Sequence, residues 1–449
     1  MNELLLSKYL HFGKKINILA VYPNNYNLGI ANLGHQFFYR ALNETNLINC
    51  ERLYLNNIFS NNLCSIETKK KIQNFDVIAF SICYELDIFN IINLLKKYNW
   101  LDSVLQKKYS NNRPLIIAGG ALTFINPEII NKYTDYAVIG DFENIIAKFC
   151  EFITDALENI KRAEILKKYN FLFNEDNAGK WNTSAEIDAY SNIIPLDKNC
   201  EFDNTFLIEL ARGCPNNCSF CNTGATRNPL RFFDRQKINE ILNILRLRNI
   251  QKLGLIGSAV LLYPNIKNFL NDLLKQNFQF SFSSLTINHL DFEIIELLVK
   301  SQQNTLTLAP EVGNEKMQKL INKKINIPKF LEILKFAVSN GIKRIKLYFL
   351  YGFEENDNDD IFAIIELVKE INEIIKIKGK PTNLIISLNP IIPKPNTPYH
   401  QSNKTMLPKK ILERKKKILR NRLINLGCRL EFMSINEALL QYRIANNLI

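Results

Sequence analysis

The chain has 449 residues, 47% of them hydrophobic and 22% charged, so we expect globular burial over two domains and no extended disorder. Its 57 basic and 44 acidic residues give a net charge of +13. The basic residues are scattered in short runs, and no recognition motif accompanies them, so nucleic-acid binding is not indicated. The sequence has no signal-peptide pattern and no apolar stretch of membrane-spanning length, so we expect a cytoplasmic protein without a membrane partner.

The first third of the sequence alternates strand-like and helix-like segments. Nearly continuous apolar runs of strand length predict a parallel sheet that is covered on both faces. These runs are Ile16–Tyr22, Arg52–Leu55, Asp76–Ser81, Pro114–Ala118 and Tyr136–Ile139. The helical patterns are Leu33–Leu42, Asp87–Tyr98 and residues 143–156. We therefore predict a Rossmann-like α/β domain over residues 1–160.

Small residues follow several of these predicted strands. Ser81, Gly119, Gly120 and Gly140 lie in the loops at the carboxyl ends of strands, where open α/β sheets bind their ligands. No G-x-G-x-x-G follows the first strand, so the sequence lacks a dinucleotide-binding fingerprint.

A polar, irregular stretch over residues 161–203 predicts a linker or small sub-domain, and a second alternating series follows it. Its strand candidates are Thr205–Leu210, Lys252–Ile256, Phe278–Ser283, Asn304–Ala309, Arg344–Phe349 and Leu384–Leu388. Helical segments separate these strands, which predicts a partial (β/α)6 barrel over residues 204–400 with its chemistry at the strand carboxyl ends. Residues 401–449 are predicted to form a helical extension.

Three of the nine cysteines lie close together in the sequence. Cys214, Cys218 and Cys221 follow the first strand of the second series with the spacing C-x3-C-x2-C. Thiolates suit Fe–S clusters or zinc. Structural zinc needs four ligands, and the nearest downstream histidine is His289. The motif therefore favours a [4Fe–4S] cluster with one open iron over zinc.

This motif, with Phe220 before its last cysteine, resembles the radical S-adenosylmethionine superfamily. The resemblance implies that Cys214, Cys218 and Cys221 are the catalytic, metal-binding residues. It also implies that S-adenosylmethionine chelates the open iron through its amino and carboxylate groups. One electron from a reductant such as flavodoxin or ferredoxin would then cleave the sulfonium to a 5′-deoxyadenosyl radical.

The resemblance further implies cofactor contacts at the ends of successive barrel strands. The Gly257-Ser258 segment would contact the amino group, although it departs from the Gly-Gly-Glu form common in relatives. The full set of residues implied to contact S-adenosylmethionine is Phe220, Gly257, Ser258, Ser283, Glu311, Tyr351 and Gly352. Within it, Glu311 looks like a ribose-hydroxyl acceptor, and the Tyr351-Gly352 segment would line the adenine pocket with backbone.

From about residue 16 to residue 400 the sequence resembles a largely uncharacterised branch of radical enzymes whose first domain is of the cobalamin-binding type. In that branch Ser81, Gly119, Gly120 and Gly140 would cradle the nucleotide tail or the corrin edge. The D-x-H-x-x-G motif that supplies an axial histidine is missing. Two interpretations stay open, a cobalamin site and a vestigial domain that shapes substrate access.

Several functions are compatible with this sequence. With cobalamin, the resemblance suggests a transferase that methylates an unactivated carbon. The alternatives are a cobalamin-independent radical enzyme, an enzyme similar to the tRNA methylthiotransferases, and a non-enzymatic Fe–S scaffold or sensor. Ser283, Glu311 and the Tyr351-Gly352 segment argue against a sensor, because a sensor needs no ribose or adenine pocket. Whether the substrate is a small molecule, a peptide or RNA is not encoded in any motif.

Overall fold

A computed structural model describes residues 2–56, 63–110, 112–158, 160–177, 180–353, 358–376 and 382–449. The chain divides into two compact units. Unit 1 comprises Met1–Glu209 with Ile444–Ile449, and unit 2 comprises Leu210–Arg443. Within the described ranges, none of the helices has the length and apolar character that crossing a bilayer requires.

The predicted boundary at residue 160 is corrected by this division. Residues 161–203 lie inside unit 1 and do not form a separate linker. The physical reason is burial, since Tyr169, Phe171 and Leu172 belong to the same hydrophobic core as Ile18 and Phe152.

Unit 1 is built on a five-stranded parallel sheet. Its strands are β2 (Ile16–Tyr22), β3 (Ile48–Tyr54), β4 (Val77–Ser81), β5 (Leu115–Gly119) and β6 (Tyr136–Ala137), and two further strands, β1 (Glu3–Leu5) and β7 (Ile193–Pro195), form an antiparallel pair. The order in the main sheet is β3-β2-β4-β5-β6, with every neighbouring pair parallel. This is a doubly wound order that reverses between β2 and β4, where such sheets bind ligands.

Amphipathic helices cover this sheet. They are α1 (Tyr26–Ile30), α2 (Leu33–Asn43), α3 (Asp87–Lys97), α4 (Leu101–Leu105), α5 (Pro127–Lys132), α6 (Ile146–Leu157) and α7 (Arg162–Lys168). The start of α2 shows how sequence sets a boundary, because the Asn32 side chain accepts the His35 N–H and caps the helix. Helices on both faces explain why Ile18, Leu19 and Val21 of β2 are all fully buried.

Strand β3 is longer than its predicted segment of Arg52–Leu55. The apolar pattern did not predict the first part of this strand, because the polar residues Asn49, Glu51 and Arg52 are buried within it. Arg52 is compensated by two carboxylates, with Nη2 at 2.8 Å from Glu3 Oε2 and Nε at 2.6 Å from Glu67 Oε1. Buried charges of this kind are tolerated only when they are paired.

Unit 2 contains the predicted parallel barrel, to which the two-residue strand Arg231–Phe232 adds one antiparallel pairing. Its strands are β8 (Phe206–Arg212), β9 (Arg231–Phe232), β10 (Lys252–Gly257), β11 (Gln279–Phe282), β12 (Thr305–Glu311), β13 (Arg344–Tyr351), β14 (Asn383–Pro390) and β15 (Arg429–Phe432), and unit 2 begins within β8. They form two sheets, β11-β10-β8-β9 and β12-β13-β14-β15. A parallel bridge between Leu285 and Leu308 connects the two sheets.

Side-chain burial alternates along the barrel strands. In β13, Leu347, Phe349 and Tyr351 are fully buried, whereas Lys346 and Tyr348 are partly accessible. Since neighbouring side chains of a strand point to opposite faces, the first set packs under the outer helices and the second lines the barrel interior.

The outer layer of unit 2 is helical. Its helices are α8 (Asn222–Thr226), α9 (Arg235–Leu247), α10 (Ile266–Lys275), α11 (Phe292–Lys300), α12 (Glu315–Leu320), α13 (Ile327–Ser339), α14 (Asp359–Ile375), α15 (Pro398–Gln401), α16 (Lys409–Leu423) and α17 (Ile435–Ala445). The last two residues of α17 already belong to unit 1. The prediction that residues 401–449 are helical is corrected at one place. Strand β15 pairs parallel with β14, and its four residues are too few for a periodic signal.

Candidate functional site

The cysteine-bearing loop begins where β8 ends. Gly213 follows the strand with a positive φ of 86°. A Cβ atom on Gly213 would collide with the Arg227 carbonyl oxygen and lie 2.8 Å from that of Pro229, so only glycine satisfies both the conformation and the space. The tight turn leads directly to Cys214, which is buried.

Backbone hydrogen bonds to distant segments hold the rest of the loop. The Ser219 N–H donates to the Ile321 carbonyl at 2.8 Å, and the Ser219 carbonyl accepts from the Tyr399 N–H at 2.8 Å. The Cys221 N–H donates to the Cys218 carbonyl at 3.1 Å and closes the turn between the last two cysteines. The loop conformation is therefore set by the fold and does not depend on the cysteine motif alone.

The three thiols share one electrostatic neighbourhood. Burial raises the pKa of the Cys218 thiol to about 11, Lys323 acts in the opposite direction, and Cys221 and Cys214 raise it further. Burial is also the main cause of the raised pKa of the Cys214 thiol. Metal binding requires thiolates and would release these protons.

The described surroundings of these thiols do not form a closed site for a single metal ion. In the part of the chain that the structure describes, no three His, Cys, Asp or Glu side chains are grouped to hold one ion, so a closed four-ligand zinc site does not match. In a [4Fe–4S] cluster each thiolate ligates a different iron, which permits wider spacing. That Cys214, Cys218 and Cys221 hold such a cluster stays a prediction.

Gly257, Ser258 and Ser283 lie at the carboxyl ends of β10 and β11 and their following loops. A Cβ atom on Gly257 would collide with the Ala211 carbonyl oxygen of β8, so glycine is needed where these two strands approach each other. Ser258 and Ser283 are exposed, which leaves their hydroxyls accessible at the strand ends. Their contacts with S-adenosylmethionine stay predictions.

Glu311, at the end of β12, has a partner that sequence reasoning missed. Its Oε1 lies 3.0 Å from Lys323 Nζ, which also donates to the Ala309 carbonyl at 2.6 Å. Glu311 has a φ of 68°, a conformation that is uncommon for a residue other than glycine. Burial raises the pKa of the Glu311 carboxyl, and Lys323 partly offsets that effect. No spacing rule singles out Lys323 in a sequence rich in lysine.

The Tyr351-Gly352 segment presents backbone at the end of β13. The Tyr351 side chain lies on the helix-facing side and is fully buried, and its hydroxyl has no hydrogen-bond partner among the described residues. The N–H groups of Gly352 and Phe353 donate to Asp360 Oδ2 at 2.6 and 3.3 Å. A tyrosine side-chain contact with a ligand is thereby excluded in this conformation.

Phe220 packs beside this segment. It lies against an apolar cluster whose members are Leu350, Phe353, Val312, Met317, Ile321, Ile391 and Tyr399. The cysteine loop and the end of β13 therefore share one packed patch. A contact between Phe220 and adenine stays a prediction.

In unit 1, Ser81, Gly119 and Gly120 lie side by side at the carboxyl edge of the sheet. Ser81 and Gly119 are register partners at the ends of β4 and β5. Gly120 has a φ of 109°, and a Cβ atom there would lie 2.6 Å from the Ile82 carbonyl oxygen. Gly119 is half-buried and Gly120 is exposed, so this edge presents bare backbone that a ligand can approach.

Gly140 is explained by packing within unit 1. A Cβ atom on Gly140, whose φ is 93°, would collide with the Asn182 backbone. The neighbouring Asp141 N–H donates to the Asn182 carbonyl at 2.7 Å. The glycine is required whether or not a ligand binds.

His35 lies beneath this edge and is completely buried. Its Nδ1 is 3.0 Å from Ser81 Oγ, and its ring packs edge-on against Tyr22 and Tyr54 with centroids 5.7 and 5.4 Å away. Burial, assisted by the positive charge of Arg52, lowers the pKa of His35 to about 3. The imidazole is therefore neutral and enclosed, and it is not presented as a metal ligand at the surface of this edge.

Solved structures share the fold of this chain. The radical S-adenosylmethionine methyltransferase TsrM from Kitasatospora setae, solved with cobalamin and a [4Fe–4S] cluster bound, matches with a TM-score of 0.58 and 12% identity over 86% of this chain and 77% of that chain. The cobalamin-dependent S-adenosylmethionine radical enzyme OxsB, solved with aqua-cobalamin, matches with a TM-score of 0.56 and 14% identity over 90% of this chain and 62% of its own. The predicted fold, a Rossmann-like domain followed by a radical barrel, is confirmed.

Sequence comparisons agree with the fold. An uncharacterized protein of Methanocaldococcus jannaschii is 26% identical over 436 residues, which are 96% of this chain and 88% of that protein. The family described as "Radical SAM proteins, N-terminal" matches residues 34–172, and the family described as "Radical SAM superfamily" matches residues 208–368. The chain belongs to the radical S-adenosylmethionine superfamily of enzymes.

Proposed function

We propose that Cys214, Cys218 and Cys221 hold a [4Fe–4S] cluster whose open iron binds S-adenosylmethionine. The observation that carries this proposal is the position of three cysteines with the spacing C-x3-C-x2-C on one loop, directly after the first barrel strand. Burial raises the pKa of the Cys214 and Cys218 thiols, and Cys221 is close enough to raise the pKa of both further. Bound together, the cluster and S-adenosylmethionine supply a 5′-deoxyadenosyl radical, a hydrogen abstractor that side chains cannot provide. A one-electron donor such as flavodoxin or ferredoxin is the partner that this chemistry requires.

The chain's own groups would bind and orient S-adenosylmethionine. The Glu311 carboxylate would accept hydrogen bonds from ribose hydroxyls, and Lys323 favours the ionised carboxylate that this role needs. The exposed hydroxyls of Ser258 and Ser283 would add polar contacts. Phe220 and the backbone at Gly352 would form the apolar wall that receives adenine and excludes water.

We further propose that unit 1 binds cobalamin and that the reaction is methyl transfer to an unactivated carbon. Three observations support this proposal: the strand-order reversal beside Ser81, the bare backbone at Gly119 and Gly120, and the fold shared with TsrM and OxsB. Cobalamin would supply the methyl group. Ser81, Gly119 and Gly120 would bind its edge, and the buried His35 would leave the cobalt without an imidazole from this edge.

Anaerobic reconstitution with iron and sulfide tests the first proposal. The loaded protein, given a strong reductant and S-adenosylmethionine, should slowly release 5′-deoxyadenosine even without substrate, as measured by chromatography and mass spectrometry. Its absence from a fully loaded preparation would overturn the assignment. Release of 5′-deoxyadenosine without retention of cobalamin would instead identify a cobalamin-independent radical enzyme.

A further inference from the structure

A completely buried ion pair connects helix α16, near the end of unit 2, to helix α14 of the barrel. Lys415 Nζ, in α16, donates to Asp360 Oδ1 at 2.8 Å, and the two side chains are 0% and 2% exposed. Asp360 lies in the first turn of α14. Both side chains are removed from solvent, so each charge needs a neighbouring group of opposite charge to compensate it.

The same carboxylate holds the turn that follows β13. Asp360 Oδ2 accepts the N–H groups of Gly352 and Phe353 at 2.6 and 3.3 Å. Gly352 has a φ of 90°, and a Cβ atom there would lie 2.7 Å from Leu412 Cδ2 of α16. Helix α16 therefore packs directly on this turn and also supplies the cation that balances its acceptor.

The Gly352–Phe353 turn and the cysteine loop pack in the same apolar cluster. Phe353 packs in the same apolar cluster as Phe220, the residue before Cys221. The Ile391 N–H donates to the Tyr351 carbonyl at 2.8 Å and fixes the strand end that precedes the turn. Lys415, Asp360, the turn and Phe220 thus form a continuous chain of contacts.

We propose that Lys415 is a positioning residue for S-adenosylmethionine and acts through Asp360 on the Gly352–Phe353 turn. This inference rests on the proposed function, in which that turn receives adenine. Without the ammonium, the buried Asp360 carboxylate is left without its cation. Moving this carboxylate toward solvent or another partner would break its bonds to the two backbone N–H groups, so the turn loses its fixed conformation. The basic helix α16, far from the cysteine motif in sequence, is then part of the cofactor site.

Two uncharged versions of the pair provide the test. D360N/K415M retains an oxygen that accepts the Gly352 N–H, whereas D360A/K415M does not, and neither leaves a buried charge. In the full-length, cluster-loaded protein, we expect D360A/K415M to bind S-adenosylmethionine at least about tenfold more weakly than D360N/K415M by equilibrium dialysis, at equal iron and sulfide content. Equal affinities would overturn the proposal.

Two further variants keep the test decisive if D360A/K415M does not fold. Lys415→Met leaves Asp360 charged and unpaired, so it should bind about tenfold more weakly than D360N/K415M, whereas Lys415→Arg should stay close to wild type. Equal binding by Lys415→Met and D360N/K415M would contradict the inference. A wild-type protein that binds no S-adenosylmethionine would reject the proposed function itself.

A matched control lies in unit 1. Arg113 and Asp135 form an equally buried pair, with side chains 4% and 3% exposed and Nη1 at 2.6 Å from Oδ2. The R113M/D135N variant should bind S-adenosylmethionine as wild type does. A loss there equal to that of D360A/K415M would mean that general destabilisation, and not positioning, weakens binding.

Discussion

Lys323 donates to Glu311 across 3.0 Å, and the same ammonium opposes the rise in the pKa of the Cys218 thiol. One cation therefore faces both the carboxylate proposed to bind ribose and a thiol proposed to bind iron. Because burial raises the pKa of Glu311 and Lys323 is the group that offsets it, the ionised carboxylate depends on this lysine.

Glu311→Gln should weaken S-adenosylmethionine binding about tenfold or more, since hydrogen bonds to a charged acceptor contribute about 1.5–3 kcal/mol. Iron and sulfide content should not change. Equilibrium dialysis of the loaded protein measures the effect, and Glu315→Gln, an exposed neighbour, serves as the control. Unchanged affinity in Glu311→Gln would make Glu311 a structural partner of Lys323 only.

Lys323→Met should also weaken S-adenosylmethionine binding, and its effect should not add to that of Glu311→Gln. The two residues are in contact, so we expect a coupling of about 0.5–3 kcal/mol in a double-mutant cycle. Four dissociation constants, for wild type, both single variants and the double variant, measure it. Strict additivity would show that the two side chains act independently.

Cys218→Ala should abolish the brown chromophore of the reconstituted protein or its ability to cleave S-adenosylmethionine. Two thiolates cannot replace the three that the cluster requires. Absorbance and iron content measure the loss, and Cys428→Ala, which removes another half-buried thiol of unit 2, should load normally. A fully loaded, cleavage-active Cys218→Ala protein would contradict the site.

The stability of unit 1 should fall below neutral pH because of His35. Its pKa is about 3 in the folded chain against 6.5 in the unfolded chain, so between these values the unfolded state binds more protons. The free energy of unfolding that the neutral, buried His35 contributes is fully present above pH 6.5 and is lost as the pH falls toward 3. About 2 kcal/mol of it is lost between pH 7 and pH 5. Urea unfolding of wild type and His35→Phe at both pH values checks this, because the variant should lose less stability.

Hydroxocobalamin should be retained by the full chain at micromolar concentration, with the absorption spectrum of a form that lacks an imidazole ligand. The reason is that His35 is completely buried and its Nδ1 is hydrogen-bonded to Ser81 Oγ, so its ring is not available to the cobalt. Equilibrium dialysis followed by absorption spectroscopy provides the measurement. His35→Gln should leave the spectrum unchanged, whereas a spectral shift in that variant would show that His35 reaches the cobalt.

Much of the architecture was predictable because its signals are local. Apolar runs located β2, β4 and β5 to within a residue or two, since both faces of those strands are buried and the pattern needs no distant information. The cysteine motif was equally readable, because Cys214, Cys218 and Cys221 lie within one loop. Strand β3 was only partly predicted, because the carboxylates that compensate Arg52 come from elsewhere in the chain.

The sequence by itself thus determined the two α/β series and the cysteine loop, which rest on periodicity and short spacings, and the superfamily, which rests on the resemblance of the cysteine motif. The tertiary structure alone decided which charges meet. Lys323 faces Glu311, and Lys415 reaches Asp360 across 55 positions, although each is one lysine among many. The physical reason is that an ion pair between distant residues leaves no periodic trace, and only the fold selects which ammonium is buried beside which carboxylate.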